Sequence, residues 1–431
     1  MLYEYVDFTL LVVLAGSALL GAVAALIGTF AVLRREALLG DVLAHASLPG
    51  ICLAYLAIGD KSLPGLLAGA LVMSLVAAAF HRLIVWVTPL KEDAALGISL
   101  SVFYGAGVVL LTKIQGLGFG TQAGLKTFLF GSAATMLPSD VQFMALLAVL
   151  VAAGLGLLYK ELKLATFDPE FARTVGFPVK LLDLVLVVLL ATVIVAGLRI
   201  AGVVLMVAAT IIAPAAARQW TNRLAALLVS ATLIGAVCGA VGALASATIP
   251  WLKTGPTIVL AGTSVFVLSV LLAPRRGIVA RWLREHRARL RIEEEHLLRD
   301  MYLVCEERHD FSASVGFVDL LGMRGIAPGQ LRRIAQRLLR NGYLRERPEG
   351  LQLTEAGIQA ARRIVARHRL WETFLSTQLN LPDDHLHRDA EDMEHVIDER
   401  LARELERQLG YPRKDPHGRE IPRPQGESDA H

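Results

Sequence analysis

Two side chains that can bind a metal ion stand four residues apart in the apolar segment ALLGDVLAHASLPG. They are Asp41 and His45, and this spacing places them on one face of a helix. A carboxylate with an imidazole suits manganese, zinc or ferrous iron. An ionisable group in hydrocarbon is costly, so it normally faces the bundle interior and serves an ion path or a proton relay. The pair predicts an ion path. The alternative is a hydrated Asp41 near the cytoplasmic end beside a histidine that bonds a neighbouring helix.

A denser set of imidazole and carboxylate side chains occurs toward the C-terminus, with members repeatedly three or four residues apart. The set comprises His368, Glu372, His387, Glu391, Glu394 and His395. Each subset falls on one helix face. Two helices that turn such faces toward each other make a mixed nitrogen and oxygen site for manganese, ferrous iron, cobalt or zinc. The alternative is the solvated surface of charged helices, where single pairs of this spacing are common.

The composition divides the chain into two parts that must position these side chains. Of 431 residues, 54% are hydrophobic, which is too apolar for a purely water-soluble protein. Only 27 of the 82 Asp, Glu, Lys and Arg residues precede Pro274, and 55 follow it. Three dispersed cysteines without CxxC spacing indicate neither a thiolate zinc site nor a disulfide framework. A lipid-embedded body followed by a charged soluble tail is therefore predicted.

Nine apolar stretches approach or exceed the length that crosses a hydrocarbon layer of roughly 30 Å. They lie near residues 8–33, 37–58, 63–87, 93–112, 140–159, 181–198, 200–217, 224–247 and 256–273. With the N-terminus outside, the inner loops hold eleven Lys or Arg residues and the outer loops five, so the positive-inside rule places the tail in the cytoplasm. Pro214 in the seventh stretch predicts a kink, or a broken helix that lines a cavity.

The tail has the pattern of a winged helix-turn-helix. A helix from Ile292, a short helix near Phe317, a glycine turn and PGQLRRIAQRLLRNGYL are followed by RERPEGLQLTEAG, which fits a two-stranded wing. The second helix would present a cationic face to phosphates. The residues predicted to contact DNA are Gln330, Arg332, Arg333 and Arg337. A basic helix near anionic lipid headgroups explains the arginines equally well.

The membrane body resembles the metal-ion permeases of ABC transporters, which import zinc, manganese and iron. ALLGDVLAHASLPG resembles the family's signature segment, and YKELKLATFDPEFARTVGFP and TGPTIVLAGTSVFVLSVLLAPRRG also agree in order and spacing, so the resemblance covers nearly all of residues 1–277. It implies a multi-pass permease in a bacterial inner membrane. The implied partners are membrane lipid, an ABC ATPase on a separate chain, an extracytoplasmic metal-binding protein and a second permease subunit that completes a homodimer.

The same resemblance assigns a short cytoplasmic helix that docks on the ATPase. The residues at its position are Phe167, Asp168, Pro169, Glu170, Phe171, Ala172 and Arg173. Aspartate as the cap and proline at the first helical position are typical of a helix start. The alternative is an ordinary inner loop. The nearest phosphate-loop string, GTQAGLKT, has an extra leucine before the lysine, so we expect this chain to bind no nucleotide and not to be an enzyme.

The tail resembles the metal-dependent repressors of the diphtheria-toxin-repressor and manganese-regulator type. RHRLWETFL, HRDAEDMEHVIDERLARELE and DPHGREIP carry this resemblance over residues 292 to about 422. It implies that manganese, iron or zinc binds at two sites. The ancillary site would comprise His368, Glu372 and His387, and the primary site His296, Glu391, Glu394 and His395. Relatives usually place methionine or aspartate at the position of His296, and small polar residues where Gly329 and Gln330 begin the recognition helix, so metal preference and DNA binding do not transfer directly.

These observations predict an all-α polytopic membrane protein with a C-terminal winged helix-turn-helix and a helical metal-binding and dimerisation region. The predicted domains are a permease over 1–275, a linker over 276–291, the winged helix over 292–355, the metal-binding region over 356–410 and a flexible tail over 411–431. The predicted function is a permease subunit of an importer for manganese, zinc or iron with a fused metal sensor. The alternative is a membrane-anchored or proteolytically released metal-dependent transcriptional regulator, with DNA as its partner.

Overall fold

The computed structural model describes residues 8–59, 62–116, 136–249, 251–379, 397 and 399–422. The chain divides into two compact units, Met1–Arg281 and Trp282–His431. Each unit has its own buried core, and the two are described separately below.

The described part of the first unit contains eight long apolar helices, which provide nine segments long and apolar enough to cross a membrane. They are α1 (Phe8–Leu33), α2 (Leu39–Ile58), α3 (Leu63–Val87), α4 (Glu92–Gly116), α5 (Pro138–Leu157), α8 (Val179–Trp220), α9 (Leu224–Thr248) and α10 (Thr254–Leu272). Two short helices, α6 (Tyr159–Phe167) and α7 (Pro169–Thr174), lie between α5 and α8. The predicted all-helical membrane fold is confirmed.

Helix α8 contains two of the nine segments, Val179–Leu198 and Ile200–Trp220. Its backbone leaves the helical region at Gly202, where φ is 76° and ψ is 169°. This conformation is accessible essentially only to glycine, since a Cβ atom would clash there. The sequence pointed to Pro214 as the irregular residue, but Pro214 lies within the helical run beyond the break.

Close helix crossings hold the membrane unit together, and α1 lies at their centre. A Cβ atom on Gly21 would lie 2.2 Å from the carbonyl oxygen of Gly235 in α9, and one on Gly28 would lie 2.0 Å from that of Thr210 in α8. Glycine at these crossings lets the backbones approach closely. In lipid this close packing replaces the hydrophobic driving force that joins helices in water.

The second unit contains the tail elements in the order predicted for a winged helix. They are α11 (Ile278–Glu307, which begins four residues before the unit boundary), α12 (Phe317–Arg324), α13 (Pro328–Arg340), β1 (Leu344–Arg347), β2 (Gly350–Leu353), α14 (Glu355–Leu379) and α15 (Glu399–Gln408). The strands pair antiparallel, with Leu344 opposite Leu353. Met301, Cys305 and Leu338 are fully buried in the core of this unit. The predicted winged helix-turn-helix is confirmed.

Three details of the tail differ from the sequence expectations. Helix α11 begins at Ile278 rather than at Ile292, so most of the predicted linker is helical. Gly322 lies inside α12, which ends at Gly325 in the left-handed conformation. The predicted flexible segment from 411 is structured through residue 422, because Lys414 and Glu420 form an antiparallel bridge. Its charged side chains pack onto α14, as described below.

Candidate functional site

The predicted ion-path residues lie together near the start of α2. His45 Nε2 is 3.2 Å from Asp41 Oδ1, and the two side chains are 24% and 25% exposed. The edge of the Tyr104 ring in α4 meets the His45 ring at a centroid distance of 4.9 Å and an interplanar angle of 82°. The pair is therefore neither sealed in the core nor fully solvated. An aromatic ring lies against its imidazole.

The α2–α4 crossing explains how this pair is positioned. Pro49 lies inside α2, and a Cβ atom on Gly107 of α4 would lie 2.8 Å from the Pro49 Cδ atom. The close approach brings Tyr104, one helical turn before Gly107, against His45. Within the described ranges no group of three or more His, Cys, Asp or Glu side chains is arranged to hold a metal ion. The pair thus offers two protein ligands, which is fewer than a permanent transition-metal site needs.

A cluster of charged residues missed by the sequence analysis lies at the same end of the helices. Arg34, just after α1, pairs with Asp183 of α8 and donates from Nε to Thr166 Oγ1 of α6 at 3.3 Å. Arg82 Nη1 of α3 lies 4.0 Å from Asp183 Oδ2. Burial raises the pKa of the nearby Glu36 carboxyl, against the opposing charges of Arg34 and Arg82. The cluster fixes α6 against the long helices.

The predicted ATPase contact is a capped single-turn helix. Asp168 Oδ1 accepts a hydrogen bond from the Phe171 backbone N–H at 3.0 Å, and Pro169 is the first helical residue. Glu170 lies in the first turn and Arg173 in the last, where each complements the helix dipole. The local sequence therefore specifies where this helix begins.

The surface around α7 is apolar at two points, one on α7 itself and one at the end of α6. Phe167 and Phe171 are both exposed, whereas Ala172 is fully buried against the membrane unit. The turn that follows is closed by a hydrogen bond from the Phe177 N–H to the Ala172 carbonyl at 3.0 Å, with Gly176 at a φ of 94°. Exposed phenylalanines beside acidic and basic side chains make a surface suited to contact with another protein.

Two of the predicted metal ligands in the tail form a second imidazole–carboxylate pair. His368 Nε2 lies 3.3 Å from Glu372 Oε1 on α14, and these side chains are 11% and 1% exposed. His296 lies on α11 and lines a cleft with Glu293, Gln330 and other residues of α11, of α13 and of the turn before α13. The other four predicted ligands, His387, Glu391, Glu394 and His395, lie outside the described residues.

Arg369, adjacent to this pair, anchors three segments of the tail. Its guanidinium is buried and donates to both carboxylate oxygens of Glu306 in α11, at 2.9 Å and 2.5 Å. Its Nε also lies 3.6 Å from Asp415 Oδ2 in the segment after α15. Burial lowers the pKa of Arg369, but the hydrogen bonds to Glu306 and the charge of Asp415 outweigh it, so the net shift is upward. These contacts of Arg369 with Glu306 and Asp415 form the Arg369 clamp, which fixes the stretch of α14 that carries His368 and Glu372.

The four predicted DNA-contacting residues divide into two groups. Gln330 donates to Glu293 Oε1 at 3.0 Å, and Arg337 lies 3.3 Å from carboxylate oxygens of both Glu293 and Glu294 of α11. Burial raises the pKa of Glu294, against the charge of Arg337. Arg332 and Arg333 are exposed on α13. The acidic run before His296 was the available signal that part of the basic helix is neutralised within the tail.

The fold and these two pairs define a polytopic membrane protein with an appended winged-helix unit that carries metal-ligand side chains. Residues 6–273 match the model of the ABC 3 transport family, and residues 354–423 match the iron dependent repressor, metal binding and dimerisation domain. The chain belongs to the ABC 3 transport family, and its C-terminus carries a repressor-type domain. Both predicted resemblances are confirmed.

Similar proteins come from several bacteria. The manganese transport system membrane protein MntC of Bacillus subtilis is 35% identical over 398 residues, which cover 92% of this chain and 90% of that protein. The zinc transport system membrane protein TroC of Treponema pallidum is 42% identical over 289 residues, which cover 67% of this chain and 97% of that protein. A solved structure, PsaBC from Streptococcus pneumoniae in complex with Fab, has a TM-score of 0.57 and 28% identity and covers 66% of this chain and all of that chain.

Proposed function

We propose that this chain is the permease subunit of an ABC importer for divalent transition-metal ions, manganese, zinc or iron, and that its tail senses the same class of ion in the cytoplasm. The observation that carries the proposal is the Asp41–His45 pair at 3.2 Å in an otherwise apolar helix. Family membership and the names of the manganese and zinc transport relatives support it. The match across the whole membrane unit favours a transporter over an anchored regulator.

The geometry of the pair suits an ion that passes rather than stays. A carboxylate and a neutral imidazole replace part of the hydration shell of the ion, while partial exposure leaves room for water to complete it. Because two protein ligands hold an ion more weakly than three or four, release is not blocked. The transported ion is here a substrate, and Tyr104 borders its path.

Energy is supplied by an ABC ATPase on a separate chain, which docks on Phe167, Asp168, Pro169, Glu170, Phe171 and Arg173. The exposed Phe171 ring and the capped α7 support this assignment. An extracytoplasmic metal-binding protein delivers the ion, and a second copy of the chain completes the pathway. The N-terminus lies outside and the tail lies in the cytoplasm, an orientation that the distribution of Lys and Arg favours.

The tail binds manganese, iron or zinc through His296, His368, Glu372, His387, Glu391, Glu394 and His395. The buried His368–Glu372 pair fits this group, because imidazole and carboxylate are the donors that these ions share. A bound ion would join helix α14 to the other ligand-bearing segments and so report the cytoplasmic metal level to the permease. Arg332 and Arg333 remain available for DNA phosphates.

The test is metal uptake by the full-length chain reconstituted with its ATPase in liposomes. We expect Asp41→Asn and His45→Gln each to lower manganese or zinc uptake about tenfold or more, which corresponds to about 1.4 kcal/mol. The control is Ser101→Ala, since among the described residues Ser101 donates only to the carbonyl of Gly97 in its own helix. Unchanged uptake in both variants would refute the ion path.

The ATPase contact is tested separately through its helix cap. Asp168→Ala should destabilise α7 by about 1 kcal/mol and lower the number of ions moved per ATP hydrolysed, whereas Asp168→Ser keeps a capping oxygen and should retain coupling. Full coupling in the Asp168→Ala variant and in Phe171→Ala would place the docking surface elsewhere.

A further inference from the structure

We propose that the first half of α11, residues 278–291, is an amphipathic helix that binds the anionic lipid headgroups beside the last membrane span. This juxtamembrane segment begins six residues after α10 ends at Leu272. Six residues reach at most about 20 Å even when extended, so the segment starts near the membrane surface. The sequence analysis treated it as a linker, whereas the structure makes it a regular helix.

One face of the juxtamembrane segment is apolar and exposed. Ile278, Val279, Trp282 and Leu283 are all exposed large hydrophobic side chains, and Trp282 is 60% exposed. At 3.6 residues per turn they fall within an arc of about 140°. The Trp282 ring stacks on that of His286, with centroids 5.5 Å apart and planes inclined by 6°. An uncovered apolar face of this kind requires an apolar surface to bury it.

The opposite face is basic. Residues 275–291 contain seven arginines and a single acid, Glu285, and of the arginines within the helix only Arg289 falls inside the apolar arc. Arg281, Arg284 and Arg287 are exposed and lie away from the apolar arc. A helix with tryptophan and aliphatic residues on one side and arginines on the other lies in the interface of a bilayer, where the rings enter the headgroup boundary and the guanidinium groups meet lipid phosphates. Charge complementarity therefore selects anionic lipid.

Helix α13 is also rich in arginine but lacks this design. Its large apolar residues Leu331, Ile334 and Leu338 are buried in the core of the second unit, so its exposed surface is mainly polar and charged. Such a helix can bind phosphates but has no apolar side chains to insert into a bilayer. An experiment can therefore compare two helices that are both rich in arginine, of which only α11 exposes a large apolar face.

The experiment uses the full-length chain in nanodiscs of phosphatidylcholine alone or with phosphatidylglycerol, with acyl chains brominated to quench nearby tryptophan. The Trp282→Phe variant keeps the apolar face. Subtracting its fluorescence from that of the wild-type chain leaves the fluorescence of Trp282 alone. We expect Trp282 quenching to rise at least twofold with the anionic lipid and to fall at high salt, because the attraction is screened. The variant Arg281→Gln/Arg284→Gln/Arg287→Gln should abolish this rise.

The control variant is Arg332→Gln/Arg333→Gln/Arg340→Gln, which removes the same number of charges from α13. It should keep the lipid-dependent quenching of Trp282. Two results would overturn the proposal: equal Trp282 quenching in neutral and anionic nanodiscs, or loss of the effect in the α13 variant rather than in the α11 variant. Hydrogen exchange of the Met301 and Leu338 core peptides, unchanged in both variants, verifies that the second unit stays folded. Loss of transport with lipid binding intact would count against the proposed permease function alone.

Discussion

Two imidazole–carboxylate pairs with the same helical spacing lie in very different surroundings. Asp41 and His45 in α2 and His368 and Glu372 in α14 have nitrogen–oxygen separations of 3.2 Å and 3.3 Å. The membrane pair keeps about a quarter of each side chain exposed, while Glu372 in the tail is 1% exposed. Sequence spacing thus creates each pair, and the fold decides how far the pair is enclosed.

The residues that position the two pairs also differ in burial, and those of the tail pair are the more enclosed. Arg369, next to His368, is enclosed with Glu306 and Asp415 and fixes three segments of the tail. The membrane pair has an aromatic neighbour and a glycine crossing beside it, and both of its side chains stay about a quarter exposed. We infer that the membrane pair serves passage and the tail pair serves retention.

Removing the Arg369 anchor should have the largest effect. Arg369→Ala leaves Glu306 and Asp415 without their shared cation, and breaking such a buried pair typically costs about 3–5 kcal/mol. The lost free energy of unfolding is measured on the full-length protein, with hydrogen exchange of the α14 amides as the probe of thermal unfolding of the second unit. Arg363→Ala on the exposed side of the same helix is the control. Equal stability of the two variants would mean that the clamp does not hold the tail together.

The tail pair should control metal retention. His368→Ala or Glu372→Gln should lower the manganese affinity of the full-length protein by about tenfold to a hundredfold or more. Losing an outer-shell partner of a metal ligand already has an effect of this size, and losing the ligand itself should cost at least as much. Calorimetric titration gives the affinity, with Glu355→Gln at the exposed start of α14 as the control. Since an imidazole must be neutral to bind a metal, the wild-type affinity should weaken as the pH falls toward about 6. If Asp41→Asn reduced this affinity equally, the contrast between the pairs would fail.

The membrane counterpart of the Arg369 clamp should be less important for stability. Arg34→Ala removes the ion pair to Asp183 and the bond to Thr166, and we expect a loss of about 1.5 kcal/mol, because Asp183 is partly exposed and keeps Arg82 nearby. Unfolding of the purified protein in detergent gives the value, and ATP-driven uptake should fall as α6 loosens. Arg35→Ala, at an exposed neighbouring position, is the reference. A loss as large as that of Arg369→Ala would contradict the comparison.

The smallest effect is expected at the aromatic border of the ion path. Tyr104→Ala removes the ring edge that meets His45, a contact worth about 0.5–1.5 kcal/mol, so uptake should fall about twofold to tenfold. Tyr104→Phe keeps the ring and should transport normally. Uptake at several metal concentrations separates weaker binding from slower passage. A Tyr104→Phe defect equal to that of Tyr104→Ala would instead assign the role to the hydroxyl group.

The features predicted from sequence are those that local patterns determine. Apolar runs of span length and the glycine and proline punctuation of the tail produced the nine membrane segments and the winged helix. Asp168 and Pro169 predicted the start of α7 because cap and first-turn preferences act within a few residues. The division of the tail ligands into two sites and the inclusion of His296 depended on resemblance, and all seven ligands remain predictions.

The features that escaped prediction depend on contacts between distant parts of the chain. Arg369 meets Glu306 across 63 residues, and Arg34 meets Asp183 across 149, so no local pattern marks either pair. The early start of α11 at Ile278 escaped prediction because the seven arginines of residues 275–291 obscured the helical period of Ile278, Val279, Trp282 and Leu283. The irregular residue of α8 was assigned to Pro214 because proline is the usual helix breaker, whereas glycine alone tolerates the backbone found at Gly202.

The glycine crossings of α1 also limit which mutations in the gene can be tolerated. Gly21 and Gly28 lie where any added carbon would approach a carbonyl oxygen of another helix within 2.2 Å. Every amino-acid replacement reachable by one nucleotide change in a glycine codon introduces such a carbon, so these codons have no conservative missense neighbour. In a library of random point mutants selected for growth on scarce metal, survivors at these positions should carry synonymous changes alone, while exposed Gly97 and Gly105 of α4, with open space around them, should accept alanine or serine.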